Sequence, residues 1–472
     1  MHHHVIRFVI CAAAAVFLAA CEGRVNDDSN FFVLTFRSST DKANTQANGP
    51  SRTPVLTPDG RYLVFESRAS NLVPNDTNNR SDIFRKDLST GEVVLVSVNT
   101  TGVQGNGNSF NPAASADGRL VAFESDATNL TQQTESNLFF DVFIRDIEGL
   151  TTVRVSVAPE GFQVNGDSTN ATLSSDGRFV AFESDATTLV AGDTNGFSDI
   201  FVRDRDISAD GIYDEALDST TLRVSVEAPG NPDAIADLLN ANGPSVNPSI
   251  AADGSLIAFA SAANDIVIGD TNAASDVFVV DWRAPVPFTE KISVEDPSNP
   301  DGVVTDGTNA NGNSGGPRIT PDGRFVVFLS TADDLIVGDS NSPVVDIFVR
   351  DRGLGTTVRA SVSTQGGETT RSCFEASISA DGRWVVFTSD APDLVQNDTN
   401  STTDIFLRDV ANSTTIRVSV ATYGVQSADF FPNANGTVTS DGRFVAFSSA
   451  APNLAPNDTN GVLDILVRGP LY

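Results

Sequence analysis

The chain has 472 residues, and its 61 acidic residues outnumber its 30 basic residues to give a formal net charge of −31. This composition argues against nucleic acids and anionic lipid surfaces as partners, because both bind clustered Lys and Arg side chains. The acidity instead suits solubility, a basic partner or a divalent cation. Cys373 is the single cysteine after residue 21, so no disulfide framework is expected in the body of the chain.

The N-terminal segment has the features of an export signal. Arg7 supplies a positive charge, and residues 8–18 form an apolar stretch of eleven residues that is too short to span a bilayer. Residues 18–21, Leu-Ala-Ala-Cys, then resemble a bacterial lipobox, in which the peptidase cuts before the cysteine and a diacylglyceride is attached to its sulfur. The alternative is an ordinary signal peptide in which Cys21 is incidental.

From this segment we predict three regions of the chain. Residues 1–20 are a lipoprotein signal peptide, residues 21–30 are the lipidated Cys21 and a short tether, and residues 31–472 are the folded domain. The protein is then exported and lipid-anchored to a bacterial membrane, in the periplasm or on the outer surface.

The rest of the chain repeats one pattern seven times. A Ser/Thr-rich segment ends in Asp-Gly and is followed by an apolar run, at intervals of 58 to 77 residues. A period of this size is the mark of a repeat architecture. The aspartates of the seven turns are Asp59, Asp117, Asp176, Asp253, Asp322, Asp381 and Asp441.

One repeat, residues 162–226, shows what each unit is expected to form. Apolar or alternating segments predict strands at 171–174, 179–182, 199–203 and 221–226, with a hairpin turn at Asp176-Gly177. Four strands without helical periodicity form one antiparallel sheet. We therefore predict an all-β fold, a seven-bladed β-propeller of four-stranded antiparallel blades.

The ends of the chain predict how the ring closes. The chain ends at 464–468 with a third strand that has no successor, and it begins at 31–37 with an apolar strand that has no predecessor. We expect the N-terminal strand to complete the last blade, because this removes the exposed sheet edge.

The repeated motif also resembles a known family. Ser-x-Asp-Gly-Arg, an apolar strand and then Asp-Ile-Phe-Val-Arg-Asp resemble the TolB-like β-propeller repeats of bacterial envelope proteins, for example at 115–123 with 141–146 and at 379–387 with 404–409. The resemblance covers residues 31–472 and implies the propeller fold. It implies no single activity, because the family includes scaffolds, peptidase lids and lyases.

Strand direction sorts the loops onto two faces. The loops after strands two and four gather the Asn-Gly segments on one face, and the Asp-Gly turns share the other face with the loops after strand three. Two long acidic loops, 227–242 and 295–311, are candidate binding loops on the first face. Their acidic binding candidates are Glu227, Asp233, Asp237, Glu295, Asp296, Asp301 and Asp306.

The strongest metal signal lies in an insertion of the third unit. Oxygen-bearing side chains stand at relative positions 1, 3, 5 and 9, Gly211 stands at position 6, and Ile212 at position 7 offers its carbonyl, as in a calcium loop. Position 12 is Leu217, so Glu215 or Asp218 would have to replace the usual bidentate ligand. The candidate Ca²⁺ ligands are Asp206, Ser208, Asp210, Ile212 and Asp214.

A second acidic pattern, Asp-x-Asn-x-x-x-Asp, precedes strand three in most units. It either holds a cation or forms Asx-turns that order the loop without a metal. The candidates are Asp76, Asn78, Asp82, Asp193, Asn195, Asp199, Asp270, Asn272, Asp276, Asp398, Asn400, Asp404, Asp458, Asn460 and Asp464.

Three functions remain open after the sequence is considered. We predict a non-enzymatic, lipid-anchored scaffold that binds a protein or peptide of the cell envelope, because every histidine lies at residues 2–4 and no His-dependent catalytic site can form. The alternatives are a calcium-dependent glycan-binding propeller and a carbohydrate-active enzyme with carboxylates in the central channel. A monomer is the favoured oligomeric state.

Overall fold

The computed structural model describes residues 33–132, 139–158, 161–215, 217–228, 240–295, 309–428 and 431–472. These residues form 28 strands in seven four-stranded antiparallel sheets and contain no helix. The sheets are the blades of a β-propeller, so the predicted fold class is confirmed.

Six blades are each built from four consecutive strands. Blade 1 contains β2 (Ser51–Leu56), β3 (Tyr62–Ser67), β4 (Asp82–Asp87) and β5 (Val93–Leu95). Blade 2 contains β6 (Ser109–Ala114), β7 (Leu120–Ser125), β8 (Asp141–Asp146) and β9 (Thr151–Arg154). Blade 3 contains β10 (Ser168–Leu173), β11 (Phe179–Ser184), β12 (Asp199–Asp204) and β13 (Thr220–Arg223).

The next three blades repeat this order. Blade 4 contains β14 (Ser245–Ile250), β15 (Leu256–Ser261), β16 (Asp276–Asp281) and β17 (Phe288–Lys291). Blade 5 contains β18 (Ser314–Ile319), β19 (Phe325–Ser330), β20 (Asp346–Asp351) and β21 (Thr356–Arg359). Blade 6 contains β22 (Cys373–Ile378), β23 (Trp384–Ser389), β24 (Asp404–Asp409) and β25 (Thr414–Arg417).

Blade 7 closes the ring with strands from both ends of the chain. It contains β26 (Asn433–Val438), β27 (Val445–Ser449), β28 (Asp464–Gly469) and β1 (Leu34–Arg37), which pairs antiparallel with β28. The predicted closure is therefore confirmed. The strand begins at Leu34 in the structure, and residues 31 and 32 of the predicted strand lie outside the described residues.

The core of each blade is a pair of large side chains on the two middle strands. In blade 3 the rings of Phe182 and Phe201 stack with their centroids 5.9 Å apart. The middle strands are apolar on both faces because each blade is packed between two others, as the sequence predicts. One cluster, for example, joins Val142 and Ile144 of blade 2 to Val180 of blade 3.

Two strands of the sample repeat have different limits from those predicted. The inner strand begins at Ser168 rather than 171, and it contains a β-bulge at Asn170, whose φ is 53°. The outer strand ends at Arg223 rather than 226, because at Ser225 the side-chain hydroxyl, and not the backbone, forms the hydrogen bonds to strand three. It donates to Asp199 at 2.6 Å and accepts the Ile200 N–H at 2.9 Å.

The two faces are composed as predicted. We call the first face the Asn face, and on it the loops after strands two and four contact each other. The Asn106 side-chain amide donates to the Thr128 hydroxyl, and the Asn106 side-chain oxygen accepts the Thr128 N–H. Gly107 lies against Ala127, where a Cβ would come within 2.5 Å of the backbone nitrogen, so glycine is required there. On the opposite face, the turn face, Arg119 beside an Asp-Gly turn pairs with Asp146 at the end of strand three at 2.7 Å.

Candidate functional site

The predicted calcium loop is a compact turn on the turn face. It lies between β12 and β13 and is organised by Asp206, whose carboxylate accepts the N–H groups of Asp210 at 3.1 Å and Gly211 at 2.9 Å. Gly211 has a φ of +86°, a conformation that costs glycine little. The sequence pattern therefore identifies a loop in which backbone and side chains converge on one carboxylate.

Three carboxylates of this loop lie close enough together to hold a metal ion. One oxygen from each of Asp206, Asp210 and Asp218 lies within 4.8 Å of the others. Ser208 joins the group, because its hydroxyl oxygen lies 3.2 Å from an Asp206 oxygen and 3.0 Å from an Asp218 oxygen and can donate its hydrogen to either. Asp218 thus supplies the carboxylate that the calcium-loop pattern expects at position 12, where the chain has Leu217.

Asp214, a predicted ligand, is engaged elsewhere. Its carboxylate forms an ion pair with Arg205, with the shortest N–O distance at 2.5 Å, and it does not belong to the three-carboxylate group. The side chain of Ile212 is largely exposed. The structure therefore brings together the side chains of Asp206, Ser208, Asp210 and Asp218, and the backbone carbonyl of Ile212 stays a predicted ligand.

The charge of Asp206 suits cation binding. Burial opposes ionisation of this carboxyl, but the N–H groups of Gly211 and Asp210 and the Ser208 hydroxyl outweigh burial and lower its pKa below the ordinary value. Asp206 is therefore ionised at neutral pH. Hard divalent cations bind such groups of carboxylate and hydroxyl oxygens.

The Asp-x-Asn-x-x-x-Asp loops have a different arrangement, in which the asparagine orders the loop. In blade 3 the Asn195 amide donates to Asp199 at 3.0 Å and to the Ala241 carbonyl at 3.1 Å, and its own oxygen accepts the Phe197 N–H at 3.0 Å. These bonds tie the loop to the adjacent loop of the Asn face. They support the structural reading of the motif.

A basic side chain from strand four lies between the two aspartates in most blades. Arg223 contacts Asp193 at 3.0 Å and Asp199 at 3.3 Å, and Lys291 contacts Asp270 at 3.0 Å and Asp276 at 2.8 Å. The same arrangement joins Arg417 to Asp398 and Asp404, and Arg37 to Asp458 and Asp464. A metal ion in these loops would have to displace an internal cation, so these four candidate sets are better explained as ion pairs. Blade 1, with Asp76, Asn78 and Asp82, has no such contact among the described residues.

Sequence reasoning missed these strand-four cations, although the signal was present. A basic residue comes just before Val-Ser-Val or a close variant in successive repeats, with Arg154, Arg223 and Arg417 as examples. A positive charge at one register position of an otherwise apolar strand predicts a buried carboxylate partner.

The two long acidic loops contribute little that the structure can describe. Asp233, Asp237, Asp296, Asp301 and Asp306 lie outside the described residues, as does Cys21. Glu227 and Glu295, at the starts of these loops, are only 4% and 7% exposed. These two carboxylates were expected on a binding surface and are instead buried.

The Asn face presents apolar side chains and one polar cleft. Phe162 is 70% exposed and Tyr423 is 88% exposed at the tips of loops after strand four. A cleft of about 540 Å³ opens beside blades 4 and 5, with Asn272, Asn311 and Asp333 in its lining. Exposed aromatic groups on a rigid frame are typical of a surface that binds another molecule.

Carboxylates near the axis connect adjacent blades. Glu124 accepts the N–H of the bulge residue Asn170 in the next blade at 2.5 Å, and Glu183 accepts the N–H of Asn247 at 2.7 Å. Burial raises the pKa of Glu124, and the Asn170 N–H partly offsets this effect. These contacts give the axial carboxylates a structural role, and the expectation of a channel enzyme stays untested.

Solved structures that are similar to this chain include proteins with unrelated activities. An oligogalacturonate lyase in complex with manganese matches with 12% identity and a TM-score of 0.50, over 93% of this chain and 97% of the lyase. One of two prolyl endopeptidases studied together matches with 10% identity and a TM-score of 0.50, over 90% of this chain and half of the peptidase. A putative TolB from Agrobacterium tumefaciens matches with 16% identity over 69% of this chain and 87% of its own, with a TM-score of 0.37, from which we draw nothing further.

These identities show the propeller fold alone, and a lyase and a peptidase share it. No protein-family model and no curated protein matches the sequence. Within the described residues, no helix has the length and apolar character needed to cross a bilayer.

Proposed function

We propose that this protein is a lipid-anchored scaffold of the bacterial cell envelope that binds a protein or peptide through its Asn face. The anchor is Cys21, and the propeller is the rigid frame for the binding loops. This function needs no catalytic group. It uses the part of the molecule where exposed aromatic side chains stand on loops held by a closed ring.

The direction in which the chain enters the ring supports this proposal. Leu34, at the start of β1, pairs with Gly469 at the end of β28, which lies against Phe444 just after the last Asp-Gly turn. The chain therefore enters from the turn face. The first strand begins at Leu34, so residues 22–33 link it to Cys21 and span at most about 43 Å, which makes the turn face the side of the ring nearest to a membrane anchor.

Apolar exposure alone does not choose between the faces. Leu150 and Leu354 on the turn face are also exposed, like Phe162 and Tyr423 on the Asn face. The two faces differ in their relation to the tether. A partner that approaches from the periplasmic space or the exterior reaches the Asn face first.

Site-specific photocrosslinking in cells tests the proposed binding face. A photoreactive amino acid at Phe162 or Tyr423 is expected to capture one specific protein or peptide adduct. The same group at Leu150 or Leu354 is the matched control, because these side chains are similarly exposed and belong to the turn face. Adducts only from the turn face, or no specific adduct from either face, would contradict the proposal.

We further propose that the Asp206 loop binds Ca²⁺. The three converging carboxylates carry this proposal, and the low pKa of Asp206 keeps one of them ionised. Calcium is expected to raise the unfolding temperature of the wild type, because a ligand that binds only the folded state stabilises it. Asp218→Asn should reduce this shift, whereas Asp176→Asn, in an Asp-Gly turn outside the cluster, should not.

The calcium-dependent glycan binder remains the second candidate function, favoured by this cluster. The cluster lies on the turn face and the polar cleft beside blades 4 and 5 lies on the Asn face, so the two do not form one site. Glycan-array binding that EGTA abolishes would support this candidate. Binding that EGTA leaves unchanged would separate glycan recognition from calcium.

A further inference from the structure

Among the described residues, blade 1 lacks the buried arginine or lysine that the other six blades, its sister blades, carry on their outermost strand. In each blade, one residue of the outermost strand stands opposite the large core side chain of the neighbouring strand. In blade 1 this residue is Leu95, which pairs with Phe84. In the other six blades it is basic: Arg154, Arg223, Lys291, Arg359, Arg417 and Arg37.

The six basic side chains contact the same carboxylate of their own blade. Each lies 2.8 to 3.5 Å from the first aspartate of strand three. In five blades it also contacts the aspartate of the preceding loop, at 2.8 to 3.5 Å. The fold therefore places a positive group between two carboxylates wherever the sequence supplies one.

Blade 1 retains both carboxylates without this positive group. Asp82 is fully buried and Asp76 is 9% exposed. The Gln104 amide donates to Asp76 at 2.7 Å and to Asp82 at 3.0 Å, and Asn78 donates to Asp82 at 2.8 Å. These donors are neutral. Among the described residues, no basic side chain forms an ion pair with either aspartate.

Two buried carboxylates close together are costly to ionise without a countercharge. The Gln104 amide nitrogen lies 2.7 Å from an Asp76 oxygen and 3.0 Å from an Asp82 oxygen, which places the two carboxylates around one small group. A cation between them would remove the cost in the way that the arginines and the lysine do in the other blades.

We propose that blade 1 binds a hard divalent cation of the calcium type between Asp76 and Asp82. Two carboxylates match its charge, and rotation of the Gln104 amide would replace the amide nitrogen with a third oxygen ligand. The six sister blades are the independent support, because each holds a positive group on the equivalent carboxylate. This site is separate from the Asp206 loop and does not depend on the proposed scaffold function.

The substitution Leu95→Arg gives blade 1 the basic side chain of its sister blades and tests the proposal. The parent for this experiment carries Asp210→Asn and Asp218→Asn, so that the Asp206 loop does not contribute. We expect about 10 mM CaCl₂ to raise its unfolding temperature by about 2 °C relative to choline chloride of equal ionic strength. Adding Leu95→Arg should abolish this shift and should raise the unfolding temperature without calcium.

A second variant keeps the test decisive if Leu95→Arg does not fold. Asp76→Asn removes one proposed ligand and keeps Leu95, so it should also abolish the calcium shift. An equal calcium shift in the parent and in Asp76→Asn would overturn the proposal, because it would show that calcium acts elsewhere on the acidic surface. The absence of any shift in the parent would overturn it as well.

Discussion

At the scale of single residues, buried aspartates are mostly neutralised by a neighbouring basic side chain. The chain buries many aspartates, and it does so mostly beside arginine or lysine. Removing one partner of such a pair leaves an uncompensated buried charge, whereas an exposed pair contributes little to stability. The buried and exposed ion pairs of this propeller should therefore respond differently to the same substitution.

Arg417→Leu is expected to destabilise the protein by about 3–5 kcal/mol, because Asp398 and Asp404 lose their shared cation in a buried setting. Arg119→Leu is the matched control, since the Arg119 side chain is largely exposed beside Asp146. Chemical denaturation of both variants measures the difference. Equal losses of stability would contradict this assignment.

The phenylalanine pairs give a second contrast between single residues. Phe182→Ala should cost about 3–5 kcal/mol, because the ring is fully buried and stacks on Phe201. Phe162→Ala should leave stability nearly unchanged, because that ring is mostly exposed. The same denaturation curves test this prediction, and a large loss in Phe162→Ala would show that this ring is packed in solution.

Some residues of the candidate metal site could be predicted from the sequence and others could not. Asp206 and Asp210 follow from the calcium-loop spacing, because local spacing sets which backbone N–H groups a carboxylate reaches. Asp214 stays a prediction as a ligand, and the structure pairs its carboxylate with Arg205 through a contact that spacing does not show. Asp218 was expected only as one of two replacements for Leu217.

At the scale of elements, alternation and turn signals predicted the middle strands well. Strands with a continuous apolar run, such as Phe179–Ser184, began where expected. The inner strands were harder to predict, because Ser168, Thr169 and Asn170 are polar and a bulge interrupts their alternation. The outer strands ended early where a serine side chain replaces the backbone ladder.

The closing strand is the element whose loss should be most visible. Removing residues 34–37 exposes the edge of β28 and leaves Asp458 and Asp464 without Arg37. We expect a lower unfolding temperature and faster amide exchange in β27 and β28 than in β11 and β12. Uniform exchange rates in all blades would contradict closure by this strand.

At the scale of the whole molecule, buried carboxylates set how stability depends on pH. Burial raises the pKa of Asp82 and of Asp334 to about 6, above the ordinary value of an unfolded chain. The folded state therefore binds more protons between about pH 4 and 6, and its stability falls as the pH rises through this window. Without added calcium, the unfolding temperature should be higher at pH 5 than at pH 7.5.

The opposite trend is expected at lower pH. The Arg383 guanidinium is the main cause that lowers the pKa of Asp409 to about 2, so the stability from this pair is lost as the pH falls toward that value. For Asp82 and Asp334, the contradicting result is a free energy of unfolding that rises steadily from pH 5 to pH 7.5.

The closed ring could be predicted from the repeat, because a fixed period and unmatched end strands allow few other arrangements. The identity of the bound partner could not, because propellers share one frame and differ in their loops. The two faces could be separated from strand direction alone. What each loop contacts depends on tertiary packing, as the burial of Glu227 and Glu295 shows.

The orientation of the ring on its membrane tests the central claim most directly. The lipidated full-length protein in vesicles would carry a fluorophore at Phe162 on the Asn face or at Leu150 on the turn face, with a quencher on the lipid headgroups. Strong quenching at Leu150 and weak quenching at Phe162 is the result that we predict. Stronger quenching at Phe162 than at Leu150 would place the Asn face against the bilayer and contradict the account.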